Sequence, residues 1–255
     1  MSAGLEDTEK VNFASAHKAR LATIAIVSSE VASDDNMPLL PLFPLNTVLF
    51  PGMPISLHIF EDRYKLMVER CITERKPFGV VLLRQGTAEY QPGQKVVPYE
   101  VGCTATITQM QPVGMGRMNI VAVGQERFQI ETFDYSEPFL MGQVSRYDFE
   151  PYDAVALHEQ GRALRPWVLR YLHSLIEGEQ LELDLRQLPN EALPLAYLTA
   201  SLLKISMQEK QRLLTERKPH ALLERAKWLC RKEIALSAIM KDEPDDAIAG
   251  VFSVN

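Results

Sequence analysis

The sequence predicts an α+β fold: an N-terminal antiparallel β-barrel, closed or nearly closed, with one inserted helix, followed by a C-terminal bundle of α-helices. Three observations predict it. From Leu39 to Tyr64, Pro41, Pro44, Pro51 and Pro54 cut short apolar runs, which excludes a helix and leaves extended pieces joined by tight turns. From Val101 to Val144 apolar residues recur with a period of two, the spacing of half-buried strands. After Tyr147–Asp153 the period changes to that of helices with one apolar face. The expected division is a disordered extension over residues 1–36, a barrel over 37–150, a helical part over 151–241 and an acidic tail over 242–255.

The elements follow in order. Residues 1–36 are polar apart from a weakly amphipathic patch, Ala19–Val27, and read as a disordered tail with a transient helix near Leu21. Met37 stands directly before Pro38 and the extended segment, and is the expected natural start; an intact mass that included Met1 or Ser2 would remove that expectation. Pro51-Gly52 is the sharpest turn, because glycine supplies the positive φ that the turn needs. Ile55–Phe60 alternates and passes directly into a helix over Arg63–Lys76, stopped by Pro77. Phe78–Leu83 suits a strand buried on both faces, and Thr87–Tyr99 reads as a surface loop in which Pro98 prevents regular structure. Val101–Thr108, rich in threonine, predicts a strand with one packed and one wet face. Gln109–Arg117 is then a hairpin connection, with strands at Met118–Val123, Arg127–Phe133 and Phe139–Val144; Gly124 is expected to break the chain between the first two of these. Val155–Ile176 is helical, with a kink or restart at Pro166. Asn190 is the expected cap of a helix over Glu191–Leu203, Ser206 and Glu209 form a capping box, and Pro219 opens the last helix.

Composition bounds the function. The chain has 255 residues, a net charge of −6 and 46% hydrophobic residues, which gives ample material for a core. An acidic balance without a basic cluster argues against nucleic acid as the main partner. Cys71, Cys103 and Cys230 lie far apart and read as buried thiols of a cytoplasmic protein. No apolar run approaches the roughly 20 residues that would span a bilayer, so no membrane is expected as a partner.

Pro41-Leu42-Phe43-Pro44-Leu45, Val48-Leu49-Phe50-Pro51-Gly52 and Leu57-His58-Ile59-Phe60-Glu61 with Arg63-Tyr64 form a long, ordered pattern. It resembles the opening of the N-terminal domain of Lon proteases, a substrate-binding module found also in stand-alone bacterial proteins and, more distantly, in cereblon. Asp62 and Ser56 depart from it, standing where the family often carries proline. Gly102, Ala105 and Ile107, then Gly116, Arg117 and Ile120, then Gly124, Arg127, Phe128 and Ile130, and finally Lys210-Gln211 with Leu213-Leu214 extend the resemblance to about Lys241. It implies a PUA-like pseudobarrel and a module that binds unfolded or degradation-prone polypeptides, as an adaptor for a protease or chaperone in protein quality control. RNA binding, which PUA-like barrels often perform, is the alternative.

Little in the chain suggests catalysis. There is no G-x-x-x-x-G-K-S/T loop to cradle a triphosphate, and too few residues follow the helical part to hold a protease domain. Ser206 and Lys210, one turn apart, read as a cap and a surface lysine rather than a dyad. His17, His58, His158, His173 and His220 show no metal spacing, and His58 reads as a barrel-wall histidine bonded to backbone. No catalytic residue, metal or cofactor is therefore expected. The candidate peptide-binding residues are Met110, Met115 and Met118, because methionine adapts to varied partners, together with Phe60, Glu61 and Arg63 at the strand-to-helix corner. Glu61 and Arg63 are expected to pair. A groove between barrel and helices, lined by Trp167 and Trp228, is a second candidate.

Overall fold

Prolines, short alternating runs and a parallel crossover build the front half of the computed structural model, which describes residues 37–85, 96–176 and 188–242. The expected tail over 1–36, the helix near Leu21, most of the Thr87–Tyr99 loop and nearly all of the acidic tail lie outside the described residues. Strands β1 (Met37–Leu45), β2 (Pro54–Ile59), β3 (Phe78–Gln85), β4 (Val97–Pro98), β5 (Val101–Gly114), β6 (Arg117–Asp134) and β7 (Met141–Arg146) form one seven-stranded sheet, with helix α1 (Asp62–Glu74) between β2 and β3. The order β1-β7-β6-β5-β3-β4 closes on itself because β1 also pairs β3. The front half is thus a pseudobarrel with one helix, as the sequence predicts.

Its closure has a twist that periodicity does not announce. β1 and β3 run parallel, Leu42 opposite Gly79 and Leu45 opposite Leu82, whereas the other paired strands are antiparallel. Parallel neighbours need a long crossover, which the stretch carrying β2 and α1 supplies. Pro98 also does not prevent regular structure: Val97–Pro98 pairs with β3 as a short edge strand, where a missing N–H costs no ladder bond.

β5 and β6 are longer than expected. The connection placed at Gln109–Arg117 is mostly strand, and the strands placed at Met118–Val123 and Arg127–Phe133 are one continuous β6. Gly124 does not break it. There β6 changes partner, from β2 (Pro54–Ile59 on Met118–Val123) to β7 (Met141–Arg146 on Phe128–Asp134). The 50–53 turn docks on the exchange point: Gly52 N–H donates to Gly124 O at 2.8 Å, and Gly124 N–H donates to Met53 O at 2.9 Å. A Cβ on Gly124 would lie 2.4 Å from Phe50 O, so only glycine fits.

The expected one-faced burial of Val101–Thr108 holds only after Ala105. Val101 through Ala105 are buried on both faces. One face meets the cluster of Leu40, Leu42, Val81, Phe128, Ile130 and Val144, through contacts such as Gly102 with Phe128 and Val81. The other joins the main core that runs through Cys103 and Ala105 into the helices.

The helices are α2 (Ala154–Ile176), α3 (Ala192–Leu202), α4 (Met207–Leu214) and α5 (Pro219–Asp242). α2 passes through Pro166 as one helix. Asn190 is not the cap of α3: Glu191 takes the N-cap position in extended backbone, with no side-chain cap bond. Ser206 caps α4 as expected, its Oγ accepting from Glu209 N–H at 3.2 Å. Replacing Ser206 with alanine should cost about 1 kcal/mol of stability, read by urea unfolding. α3 is apolar all round because it lies inside the helical packing, and Leu195 through Ala200 are buried.

All three cysteines are free and buried. Desolvation pushes the Cys71 thiol up to about 11 and that of Cys230 to about 12, and raises Cys103 further. At pH 8 the native thiols should react with Ellman's reagent at least about a hundredfold more slowly than in denaturant, since reaction needs an opening of the fold.

Candidate functional site

β2 ends on the buried Ile59, and the chain then turns out through Phe60, which is 54% exposed and stacks on the ring of His58 at 5.9 Å. Glu61 occupies the N-cap position of α1 in extended backbone, and its carboxylate accepts from Arg63 Nε–H at 2.8 Å, with both side chains mostly covered. The Arg63 guanidinium also lies 4.4 Å from the centroid of the Tyr64 ring. Burial, aided by the Glu61 charge, pushes the Tyr64 hydroxyl up to about 12. The pairing expected of Glu61 and Arg63 is present, and it locks the angle at which Phe60 leaves the barrel.

The β5–β6 hairpin reaches toward the same end. Gly114 pairs with Arg117, so the loop is Met115-Gly116, with φ of 50° and 66°. Positive φ at both loop positions is what a tight hairpin turn of matching twist requires. Met115 is thereby held at the tip, 88% exposed. The register builds two rows across β2, β6 and β5: Ile59–Met118–Pro112 and, two pairs further in, Leu57–Ile120–Met110. Met110 and Met118 therefore share one face. Met110 is 49% exposed, whereas Met118 packs partly against the core. The alternate row, His58–Asn119–Gln111, lies on the other face and is exposed and polar. His58 does not bond to backbone; its Nδ1–H donates to Asn119 Oδ1 at 2.7 Å across the strands. A Cβ on Gly116 would lie 3.7 Å from Lys65 Nζ, which sets the first turn of α1 beside the hairpin tip. Phe60 therefore sits beside His58 on the polar side of this sheet, whereas Met110 and Met118 lie on the opposite face, and of the six candidate residues only Met110 lines the shallow groove between Ser56–His58 and Gln109–Gln111.

The junction of barrel and helices differs from expectation. Its narrow cleft is lined by residues such as Val48, Met53, Leu198 and Lys210, not by tryptophan. Trp167 has the guanidinium groups of Arg170 and Arg231 5.1 and 5.0 Å from its ring centroid, and Trp228 is 57% exposed with the Lys232 ammonium near its ring. The junction is instead tied by polar groups. Buried Arg127 donates from Nη1 to Leu214 O at 3.0 Å and Glu216 O at 2.6 Å, and its guanidinium lies 3.7 Å from the Phe149 ring centroid. Gln211, also buried, donates from Nε2 to Val101 O at 2.8 Å, and Tyr147 O–H donates to Thr215 O at 3.0 Å. The end of α4 is thereby sewn to β5, β6 and the segment after β7. Ser206 and Lys210 are engaged separately: the hydroxyl caps α4, and the ammonium donates to Ser201 O at 2.7 Å. Among the described residues no cluster of His, Cys, Asp or Glu could hold a metal ion, and no helix is long and apolar enough to cross a membrane.

The residues of this junction and this corner are those the resemblance singled out. The family model described as the ATP-dependent protease La (LON) substrate-binding domain matches residues 39–229. The chain belongs to the Lon substrate-binding domain family. A Lon N-terminal domain protein from Xanthomonas campestris superposes with a TM-score of 0.53 at 26% identity, covering 74% of this chain and 96% of that one. The N-terminal domain of a Mycobacterium avium complex Lon protease shares the fold, with a TM-score of 0.58 at 15% identity over 76% of this chain and 98% of that one. Similar curated proteins include a LON peptidase N-terminal domain and RING finger protein of Schizosaccharomyces pombe, 31% identical over 127 residues, and a Lon protease of Roseiflexus castenholzii, 32% identical over 110. These matches cover 46% and 42% of this chain but only 26% and 13% of the relatives. Within this Lon substrate-binding domain, Arg127 and Gln211 are the functional-looking residues whose role residue patterns missed. Both stood in motifs, but Arg127 is flanked in β6 by Gln125, Glu126, Gln129 and Glu131, so nothing local marked it as the buried one.

Proposed function

We propose that this Lon substrate-binding domain captures unfolded or degradation-prone polypeptide at the hairpin end of its barrel, without chemistry of its own, and presents it to a protease or chaperone. The observation that carries the reading is the exposure of Phe60, Met110 and Met115: large apolar side chains, all about half exposed or more, on the hairpin and the corner beside it. Glu61 and Arg63 serve it by fixing the corner from which Phe60 projects. Exposed methionine and phenylalanine favour apolar segments of varied sequence, which suits an unfolded client better than one defined ligand.

The test is binding of reduced, carboxymethylated lactalbumin, a permanently unfolded probe, followed by fluorescence anisotropy. Replacing Phe60, Met110 and Met115 together with serine should raise Kd at least about tenfold while leaving thermal unfolding nearly unchanged. Met118 is left intact because it packs against the core, so its loss would confuse binding with stability. Unchanged affinity in the triple variant would remove this surface from the reading.

A further inference from the structure

The same hairpin carries a strand edge that the described residues leave unpaired. β5 pairs with β6 along its whole length, but on its other side β3 accompanies it only over Cys103–Ala105. From Thr106 to Gly114 no backbone hydrogen bond from the described residues reaches that outer edge. Apart from half-buried Ile107, these residues are exposed. Such an edge is a row of spaced N–H and C=O groups, complementary to one thing only, another extended backbone.

Edges left open in soluble proteins are normally guarded by charge. Thr106-Ile107-Thr108-Gln109-Met110-Gln111-Pro112-Val113-Gly114 contains no Lys, Arg, Asp or Glu, in a chain that is 24% charged. Two milder devices are present: an irregularity between Ile107 and Gln109, where Thr108 O–H donates to Val121 O at 3.1 Å, and Pro112, which lacks a donor. They interrupt the edge without closing it. We infer that Thr106–Gly114 is the docking rail of the domain: an extended segment of client polypeptide adds as a further strand beside β5, held by backbone bonds. This rests on the capture reading above and supplies its mode. Backbone pairing gives affinity independent of client sequence, and Met110, within the rail, grips whichever apolar side chain falls opposite. A folded client offers no free backbone, so the rail selects for unfolded chain.

Amide hydrogen exchange at individual residues, read by NMR with and without carboxymethylated lactalbumin, tests this. Exchange of the outward amides within Thr106–Gly114 should slow at least about tenfold in the complex, with the amides of β2 unaffected. Binding with unchanged exchange at Thr106–Gly114 would overturn the inference and leave capture by the apolar side chains standing. No binding of the probe would end both. Slow exchange in the absence of probe, growing with protein concentration and accompanied by a dimer in sedimentation, would also overturn it by assigning the rail to a second copy of this chain.

Discussion

Replacing Arg127 with alanine should lower the stability of this domain by about 3–5 kcal/mol, the cost of cutting a buried charged hydrogen-bonding group out of its network. The residue is 6% exposed, and its Nη1 serves the carbonyls of Leu214 and Glu216 at the end of α4. Deleting it strands both carbonyls, empties the space over the Phe149 ring and removes a link between barrel and helices. Burial depresses the affinity of this guanidinium for its proton, outweighing the nearby groups, Asp148 among them, that favour its charged form. Lysine should rescue only part of the loss, because an ammonium can imitate the single nitrogen that serves both carbonyls but has no planar guanidinium to lie over the Phe149 ring. Urea unfolding followed by circular dichroism measures both. A loss under about 1 kcal/mol for the alanine variant would mean that the helices hold the barrel by apolar contact alone.

Substituting alanine for Gly124 should cost about 3 kcal/mol or more, at the upper end of what overpacking usually does. The added methyl would meet the Phe50 carbonyl oxygen at 2.4 Å, and backbone cannot turn aside as a flexible side chain can. Relief requires the 50–53 turn to lift, breaking the paired bonds between Gly52, Gly124 and Met53. The prolines of the opening segment would keep their local shape, but the segment would lose its seat on β6. Thermal unfolding reads the loss, and NMR shifts around Met53 and Val123 should show where it begins.

The gap between prediction and structure falls along a physical line. Proline positions, two-residue periodicity and the Ser206–Glu209 cap act within a few residues, so the extended opening, the strands and α4 were legible in the sequence. Gly124 misled because a glycine inside a strand pattern looks the same whether it ends a strand or admits a neighbouring backbone. The candidate residues were legible by type, as methionines and an aromatic in polar surroundings. That Met110 would be exposed while Met118 packs inward depends on where the hairpin outruns the core, which composition does not encode.

The sequence by itself determined the family and the barrel-then-helices order, because both are written in short-range patterns. Only the tertiary structure decided that β1 and β3 close the ring in parallel, that Arg127 and Gln211 reach partners 87 to 110 residues away, and that β5 beyond Ala105 keeps an edge that the described residues leave unpaired. Those are choices of partner, settled by which distant surfaces meet when the core forms, and no local propensity contains them.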